Sequence, residues 1–292
     1  MYRALHFNLP SSFLDFSMTH TDFNKVRSYY AGYNEWDRLS APEGRLELEM
    51  ACEILDARLP PNSRVLDLGG GPGRYTVYLA KKGHAVTLAN LSPDLLDIAR
   101  QKIEVCGVGS NVETIHTANA TDLGTFSDQT FDAVLAFGPY YHLVNETERV
   151  RSTSEISRVL KRGGYVFAAF VPRLGGVAGL ISRASARPNQ VTADTFRQTV
   201  DTGIFQNADT QGFQEGYYPH PAEMRELFES GGFTTECVRS LKGIGCNQMS
   251  DLISISENNP PLYEQIKQAI RETAEDPAVV AYCGHVLYVG QK

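Results

Sequence analysis

The feature that most constrains this chain is a glycine-rich stretch at residues 65–73, which reads V-L-D-L-G-G-G-P-G. Val65, Leu66 and Leu68 form a short apolar run, typical of a strand that is covered on both faces. The glycines that follow can adopt positive φ and carry no side chain to keep a ligand away from the backbone. The helix expected from Arg74 begins with N–H groups that lack intrahelical partners. Strand, bare turn and helix N-terminus together predict an α/β fold that binds a polar or anionic part of a ligand here.

The spacing of the glycines narrows the kind of ligand. Gly69, Gly71 and Gly73 are alternate residues, whereas the dinucleotide fingerprint G-x-G-x-x-G would need a glycine at position 74. With Asp67 two positions before the first glycine, the stretch resembles motif I of the class I S-adenosylmethionine (SAM) dependent methyltransferases, V-L-D-x-G-x-G-x-G. The resemblance implies that Gly69, Gly70, Gly71 and Gly73 pass under the methionine part of SAM. It also implies that Asp67 fixes the SAM amino group, directly or through water. A tight turn with no ligand is the alternative interpretation.

Composition excludes several other classes of protein. The net charge is −7 and no lysine/arginine run exceeds two residues, which argues against a broad nucleic-acid footprint but leaves room for a local basic groove. The five cysteines are dispersed without a C-x-x-C motif, so we expect reduced thiols in a cytoplasmic protein and no metal site. No apolar run approaches the roughly 20 residues that span a bilayer. We therefore expect neither a membrane anchor nor a signal peptide.

Apolar runs that alternate with amphipathic segments predict the rest of the fold. We expect seven strands, at residues 65–68, 85–90, 112–117, 131–137, 165–171, 234–240 and 284–290. The family resemblance implies a Rossmann-like, doubly wound, seven-stranded and mostly parallel α/β sheet with an antiparallel last strand, plus a helical lid and insertion. The predicted organisation is a flexible N-terminal extension at 1–21, a lid segment at 22–41, a SAM-binding core at 42–172, a substrate-covering insertion at 173–218, and the C-terminal part of the core at 219–292.

Two predicted cofactor contacts depart from the family pattern. The family closes its second strand with an acidic residue that binds the ribose, and the aligned residue here is Asn90. The family's adenine-binding acidic residue after the third strand is replaced by Asn119. An amide still offers a carbonyl acceptor, although a neutral one. Weaker binding, a modified cofactor and no consequence all remain open. The neighbouring residues Leu91, Ala120 and Phe137 complete the predicted cofactor-binding set.

The loop G-P-Y-Y-H-L at residues 138–143 follows the fourth strand, at the edge where open α/β sheets bind ligands. It resembles the G-P-L-Y-H-L loop of a bacterial branch of small-molecule methyltransferases. Gly138 has no side chain to hold an exocyclic amine, which disfavours a base-modifying enzyme. His142, beside Tyr141, is a candidate general base, or else a histidine that shapes the loop through the backbone. His220 is a second candidate, with the capping of the next helix as its alternative.

Aromatic residues ahead of the glycine-rich stretch resemble the N-terminal lid of UbiE-like methyltransferases. Tyr29, Tyr33 and Trp36 are suited to shield a sulfonium cation or to stack on a substrate ring. Packing against the main domain is the alternative for each of them. Tyr140, in the loop after the fourth strand, and Tyr218, at the end of the insertion, complete the predicted substrate-facing set.

The leading functional prediction is a SAM-dependent methyltransferase that modifies N or O of a small molecule, possibly a secondary metabolite, and releases S-adenosylhomocysteine. Methyl transfer needs mainly proximity and alignment, and needs a base only when the acceptor must lose a proton. The alternative is a SAM-fold protein without methyl transfer, either a regulator or an enzyme that uses SAM for another outcome. A nicotinamide-dependent oxidoreductase is disfavoured by the glycine spacing. We expect no nucleic-acid or membrane partner and a monomer or homodimer.

Overall fold

The computed structural model describes residues 20–31 and 35–292, so the predicted 1–21 extension lies almost entirely outside the described residues. The nine strands within them are β1 Arg64–Leu68, β2 Ala85–Asn90, β3 Val112–Thr117, β4 Phe131–Ala136, β5 Leu160–Phe170, β6 Ile204–Gln206, β7 Glu215–Tyr217, β8 Thr234–Ser240 and β9 Val286–Gln291. The helices are α1 Phe23–Ala31, α2 Glu35–Arg38, α3 Pro42–Asp56, α4 Arg74–Lys81, α5 Pro93–Val105, α6 Glu146–Val159, α7 Arg173–Ala186, α8 Ala193–Thr202, α9 Pro221–Ser230, α10 Met249–Asn258, α11 Pro260–Glu272 and α12 Pro277–Tyr282.

Seven of the strands form one sheet in the order β3-β2-β1-β4-β5-β9-β8. In this order, each neighbouring pair of strands from β3 through β2, β1 and β4 to β5 is parallel. In contrast, β9 runs antiparallel to both of its neighbours, β5 and β8. The prediction of a Rossmann-like, mostly parallel seven-stranded sheet with an antiparallel last strand is therefore confirmed. Since the order reverses direction at β1, the edge beside β1 and β4 is a switch point, where such folds bind ligands.

The two faces of the sheet are covered by separate groups of helices because side chains alternate along each strand. Val65 of β1 packs on one face with Leu55 of α3 and Leu79 of α4. Leu66, the next residue, packs on the other face with Ile156 of α6 and Phe228 of α9. This double coverage explains the continuous apolar runs that predicted the strands.

The elements that the sequence predicted least well lie outside the central strands. The insertion was predicted to be helical and does contain α7 and α8, but it also contains the β6–β7 hairpin, which was not predicted. Each hairpin strand is three residues long, too short to give an alternating pattern. The fifth strand was predicted to begin at residue 165 but begins at Leu160, and its pairing with β4 shifts register in these first residues.

Arg149 of α6 joins the loop after β4 to the insertion. Its Nη1 donates hydrogen bonds to the carbonyl oxygens of Leu143, at 2.8 Å, and Val144, at 3.0 Å. Its guanidinium carbon lies 3.7 Å from the ring centroid of Tyr217, in β7. The Tyr217 N–H in turn donates to the carbonyl oxygen of Tyr141 at 3.0 Å. The insertion is therefore held against the loop that closes the ligand-binding edge.

We predict that Arg149→Ala lowers the free energy of unfolding by about 2–3 kcal/mol, because it leaves two buried carbonyl acceptors without a charged donor. The measurement is urea denaturation. The matched control is Arg151→Ala on the exposed side of the same helix, which should stay within about 0.5 kcal/mol of the parent. Equal effects of the two substitutions would contradict the bridging role of Arg149.

Candidate active site and cofactor cavity

A cavity lies at the carboxyl ends of β1, β2 and β4, beneath α1. The space between its walls, including the part that is open to solvent, is about 1000 Å³. Most of the predicted cofactor-binding and catalytic residues line it: Asp67, Gly69, Gly70, Gly71, Asn90, Leu91, Asn119, Ala120, Phe137, Tyr141 and His142. The structure therefore brings together side chains that are spread over more than seventy positions of the sequence.

The floor of the cavity is bare backbone. Gly69 has φ of 74°, in the region that favours glycine, and a Cβ built there would lie 2.9 Å from Cδ of Pro139. A Cβ at Gly70 would collide with the carboxylate of Asp67. These two positions exclude side chains, so a ligand can lie directly on the loop. Gly73 does not line the cavity and instead precedes the first residue of α4.

Asp67 is the one acidic side chain among the described residues that line the cavity, which also include Arg27, Arg38 and Arg74. Its side chain is fully buried, and its Oδ2 accepts a hydrogen bond from the Thr76 hydroxyl at 2.6 Å. Its Oδ1 is buried without a hydrogen-bond partner. Burial raises the pKa of this carboxyl to about 6, although the Thr76 hydrogen bond works in the opposite direction. A buried acceptor in this state is completed by a cationic donor, and the SAM amino group is of that kind.

Asn90 and Asn119 form hydrogen bonds to backbone groups near the walls of the cavity. The Oδ1 of Asn90 accepts from the Gly71 N–H at 3.2 Å, and its Nδ2 donates to the carbonyl of Ser92 at 3.4 Å. The Oδ1 of Asn119 accepts from the Thr121 N–H at 3.1 Å. Each amide oxygen has two lone pairs, so one remains for a ligand hydroxyl or amine. Both residues therefore fit their predicted ligand contacts while also holding the protein backbone.

His142 is buried and electrically neutral at ordinary pH. Its Nε2 lies 2.9 Å from the Tyr30 hydroxyl, and its Nδ1 has no hydrogen-bond partner. Burial lowers its pKa to about 3, which makes it a weak base. This environment favours the alternative in which His142 shapes the loop at 138–143 and does not act as a general base.

The lid contacts come from one face of α1. Phe23, Val26, Arg27 and Tyr30 line the cavity, and the Arg27 Nε donates to the carbonyl of Leu91 at 3.3 Å. None of these four residues was predicted to belong to the site. Their i, i+3, i+4, i+7 spacing is the pattern of a single helix face and could have identified them.

Three predicted aromatic contacts lie away from the cavity. Tyr140 is fully buried in the core, with its hydroxyl 2.8 Å from Oγ1 of Thr153. Trp36 lies between two cations, with its ring centroid 4.8 Å from Cζ of Arg74 and 4.9 Å from Nζ of Lys102. Tyr29 packs edge-on against a phenylalanine of the insertion, Phe213, with ring centroids 5.7 Å apart. Each of these three side chains therefore packs against the rest of the protein. For Tyr29 and Trp36, this packing was the predicted alternative to a ligand contact.

The remaining predicted residues are also outside the cavity lining. Tyr218 is buried and stacked on Phe205, with ring centroids 6.4 Å apart. His220 is exposed at the start of α9, and its backbone N–H donates to Oε2 of Glu223 at 3.0 Å, which favours the capping alternative. Tyr33 lies outside the described residues.

Two features are absent from the described part of the chain. Within residues 20–31 and 35–292, no group of three histidine, cysteine, aspartate or glutamate side chains is placed to hold a metal ion. Among the helices of the same residues, none has the length and apolar character needed to cross a membrane. All five cysteines are free thiols.

Comparison with known proteins identifies a methyltransferase domain in this chain. Residues 65–164 match the family described as a methyltransferase domain. The chain is 33% identical over 132 residues to the tRNA 5-carboxymethoxyuridine methyltransferase of Escherichia coli (strain K12), covering 44% of this chain and 49% of that protein. It is also 33% identical over 146 residues to the ubiquinone/menaquinone biosynthesis C-methyltransferase UbiE of Vibrio cholerae, covering 49% and 52%. The chain thus spans about half the length of these curated relatives.

The fold has solved counterparts as well. A SAM-dependent methyltransferase from Methanosarcina mazei superposes with a TM-score of 0.58 at 18% identity, covering 82% of this chain and 96% of that one. The predictions of a methyltransferase domain, and of SAM as the cofactor of such a domain, are confirmed. The UbiE-like branch stays a prediction.

The state of Asp67 predicts how cofactor affinity depends on pH. Below about pH 6 the carboxyl is protonated in the free protein and must lose its proton to pair with an ammonium group. We therefore expect SAM affinity, measured by calorimetry, to weaken roughly tenfold between pH 7 and pH 5. The Asp67→Asn variant should bind more weakly at pH 7 and show little change over the same range. A flat profile for the parent protein would contradict this role of Asp67.

Proposed function

We propose that this chain is a SAM-dependent methyltransferase that transfers a methyl group to N or O of a small molecule and releases S-adenosylhomocysteine. The observation that carries the proposal is the unpartnered, buried Oδ1 of Asp67 above a backbone-only glycine loop. Asp67 is also the only carboxylate among the described residues that line the cavity. A cationic amino group is the ligand feature that best completes it.

Different lining residues would bind different parts of such a cofactor. Asp67 would hold the amino group, Asn90 the ribose hydroxyls and Asn119 the adenine amine. The bound cofactor supplies a methyl group on a sulfonium, which is already activated for transfer. The protein then contributes alignment and the exclusion of water. Tyr30 and Arg27 help to exclude water, because their hydrogen bonds to His142 and to the carbonyl of Leu91 hold α1 over the cavity.

Two features support a small-molecule acceptor. Aromatic side chains, including Tyr141 and Tyr30, line the cavity, and the net charge of −7 disfavours a polyanion. The resemblance of the loop at 138–143 to the small-molecule branch points the same way. The Escherichia coli relative is named for a tRNA substrate, so tRNA belongs in the test as the competing acceptor. The dispersed thiols favour a reducing compartment and thus a cytoplasmic location.

A second function is favoured by one observation. Asn90 and Asn119 stand where the family has acidic residues, and both already hydrogen-bond to the protein backbone. A pocket with less negative charge suits a SAM-binding regulator, or an enzyme that uses SAM for another outcome. Binding without turnover would distinguish that protein from a methyltransferase.

The test is calorimetric titration with SAM, S-adenosylhomocysteine and NAD, followed by assays of S-adenosylhomocysteine release. The acceptors are panels of phenols, amines and carboxylic acids, together with bulk tRNA. We expect saturable binding of SAM and S-adenosylhomocysteine, no binding of NAD, and turnover with a small molecule. Turnover with tRNA alone would overturn the acceptor class, and binding of NAD alone would overturn the function itself.

Asn90→Asp tests the altered ribose contact. An aspartate keeps the acceptor for the Gly71 N–H and adds negative charge towards a cationic cofactor, while it loses only the long contact to Ser92. We expect SAM affinity to be equal or up to roughly tenfold tighter by calorimetry. Asn258→Asp, which adds the same charge on an exposed residue outside the cavity lining, is the control. A large loss of affinity confined to Asn90→Asp would show that its amide donor is needed.

A further inference from the structure

Two of the five cysteines meet in the folded chain, although they are far apart in the sequence. Cys246 follows the short 3₁₀ helix Gly243–Gly245, and Cys283 follows α12. Cys246 packs against the core cluster that contains Cys283, and the thiol of Cys246 donates a hydrogen bond to the sulfur of Cys283. The cysteines form no C-x-x-C motif, so this contact arises only from the fold.

The end of β8 and the start of β9 bring the two sulfurs together. Ser240, the last residue of β8, pairs with Val286, the first residue of β9. Cys283 lies shortly before this strand pair in the chain of β9, and Cys246 lies shortly after it in the chain of β8. The backbone N–H of Gly284 donates to the sulfur of Cys246, which places that sulfur beside the residue that follows Cys283. The two sulfurs therefore lie side by side at this junction.

The sulfur of Cys283 is surrounded by hydrogen-bond donors. The Ser240 hydroxyl donates to it at 2.7 Å, and the backbone N–H of His285 donates to it as well. The oxygen of Ser240 is itself held by the backbone N–H of Gly243 at 2.8 Å. The hydrogen bond from Cys246 is the largest cause that lowers the pKa of Cys283 to about 6, against the opposing effect of burial. Cys283 is therefore suited to react as a thiolate.

The two sulfurs differ in their access to solvent. Cys283 is fully buried, whereas Cys246 is half-buried. A small oxidant can thus meet the sulfur of Cys246, while Cys283 waits beside it. The hydrogen bond between the sulfurs also gives the Cys246 proton a path to Cys283, which leaves Cys246 as the nucleophile. An accessible cysteine next to a second, resolving cysteine is the arrangement of a reversible oxidation site.

We propose that Cys246 and Cys283 form a modification site, which a small peroxide oxidises reversibly to a disulfide. The sulfur of Cys246 attacks one oxygen of hydrogen peroxide, the O–O bond breaks, and Cys246 becomes a sulfenic acid. The sulfur of Cys283 then attacks the sulfur of Cys246, whose hydroxyl group leaves as water. In total the two thiols lose two protons and two electrons, and the peroxide is reduced to two molecules of water. A dithiol reverses the bond by thiol–disulfide exchange.

The disulfide would enclose α10, α11 and α12, which lie between the two cysteines in the sequence. The enclosed segment packs on α3, to which Arg271 of α11 is joined by an ion pair with Glu53. A bond that closes such a long segment restricts the unfolded chain, so the oxidised protein should resist unfolding better than the reduced protein. Neither cysteine lines the cavity, and the site does not depend on methyl transfer.

Peptide mapping of the full chain tests the bond directly. Trypsin separates the two cysteines into residues 243–267 and 272–292, each with a single cysteine. After treatment with hydrogen peroxide and blocking of free thiols, the unreduced digest should contain these two peptides joined, and dithiothreitol should separate them. Cys106 is the internal control, because it is also half-buried but packs on the other face of the sheet. Two blocked thiols and no joined pair, or either peptide joined to that of Cys106, would overturn the proposal.

Thermal unfolding measures the effect of the bond on stability. We expect hydrogen peroxide to raise the melting temperature of the parent by roughly 5–10 °C, and dithiothreitol to reverse the rise. Cys246→Ser and Cys283→Ser should show no rise, whereas Cys106→Ser should behave as the parent does. The same rise in Cys246→Ser would assign the effect to another group and contradict the site. A joined pair without any rise contradicts the constraint on the enclosed helices.

Discussion

The site depends on one costly arrangement, a buried carboxylate with an oxygen that no protein group satisfies. An unpaired polar atom in a low-dielectric interior costs free energy, and Asp67 bears that cost at the end of the central strand β1. The residues around it make room for the carboxylate and bind its other oxygen. Gly70 leaves room for the carboxylate, Gly69 allows close approach to Pro139, and the Thr76 hydroxyl donates to Oδ2.

The cavity and the neighbouring cluster around Glu47 of α3 differ in how their charges are paired. Inside the cavity, Asn90 and Asn119 are neutral, and Asp67 is the sole carboxylate among the described lining residues, which also include Arg27, Arg38 and Arg74. Glu47 is surrounded by Arg38, Lys242 and His285, which hold its pKa well below its ordinary value. The carboxylate of Asp67 keeps an oxygen without a protein partner, whereas the charge of Glu47 is paired within the protein.

Local patterns made the central fold and the cofactor loop predictable. The stretch at 65–73 and the fourth strand carry their structure within a few residues, and their predicted positions are confirmed. The β6–β7 hairpin was missed because its strands are too short to show a period. The sequence favoured Tyr29 as a lid residue, whereas Tyr30 lines the cavity because it lies on the same helix face as Phe23. The Glu47–His285 pair joins positions 238 residues apart, and only the folded chain brings them together.

The most direct test of the account is a crystal structure of the protein with S-adenosylhomocysteine. We predict that the ligand amino group lies within hydrogen-bond distance of Oδ1 of Asp67. The ribose should contact Asn90, and α1 should lie over the ligand. A ligand bound elsewhere, or one whose amino group leaves Oδ1 of Asp67 without a partner, would contradict the central claim.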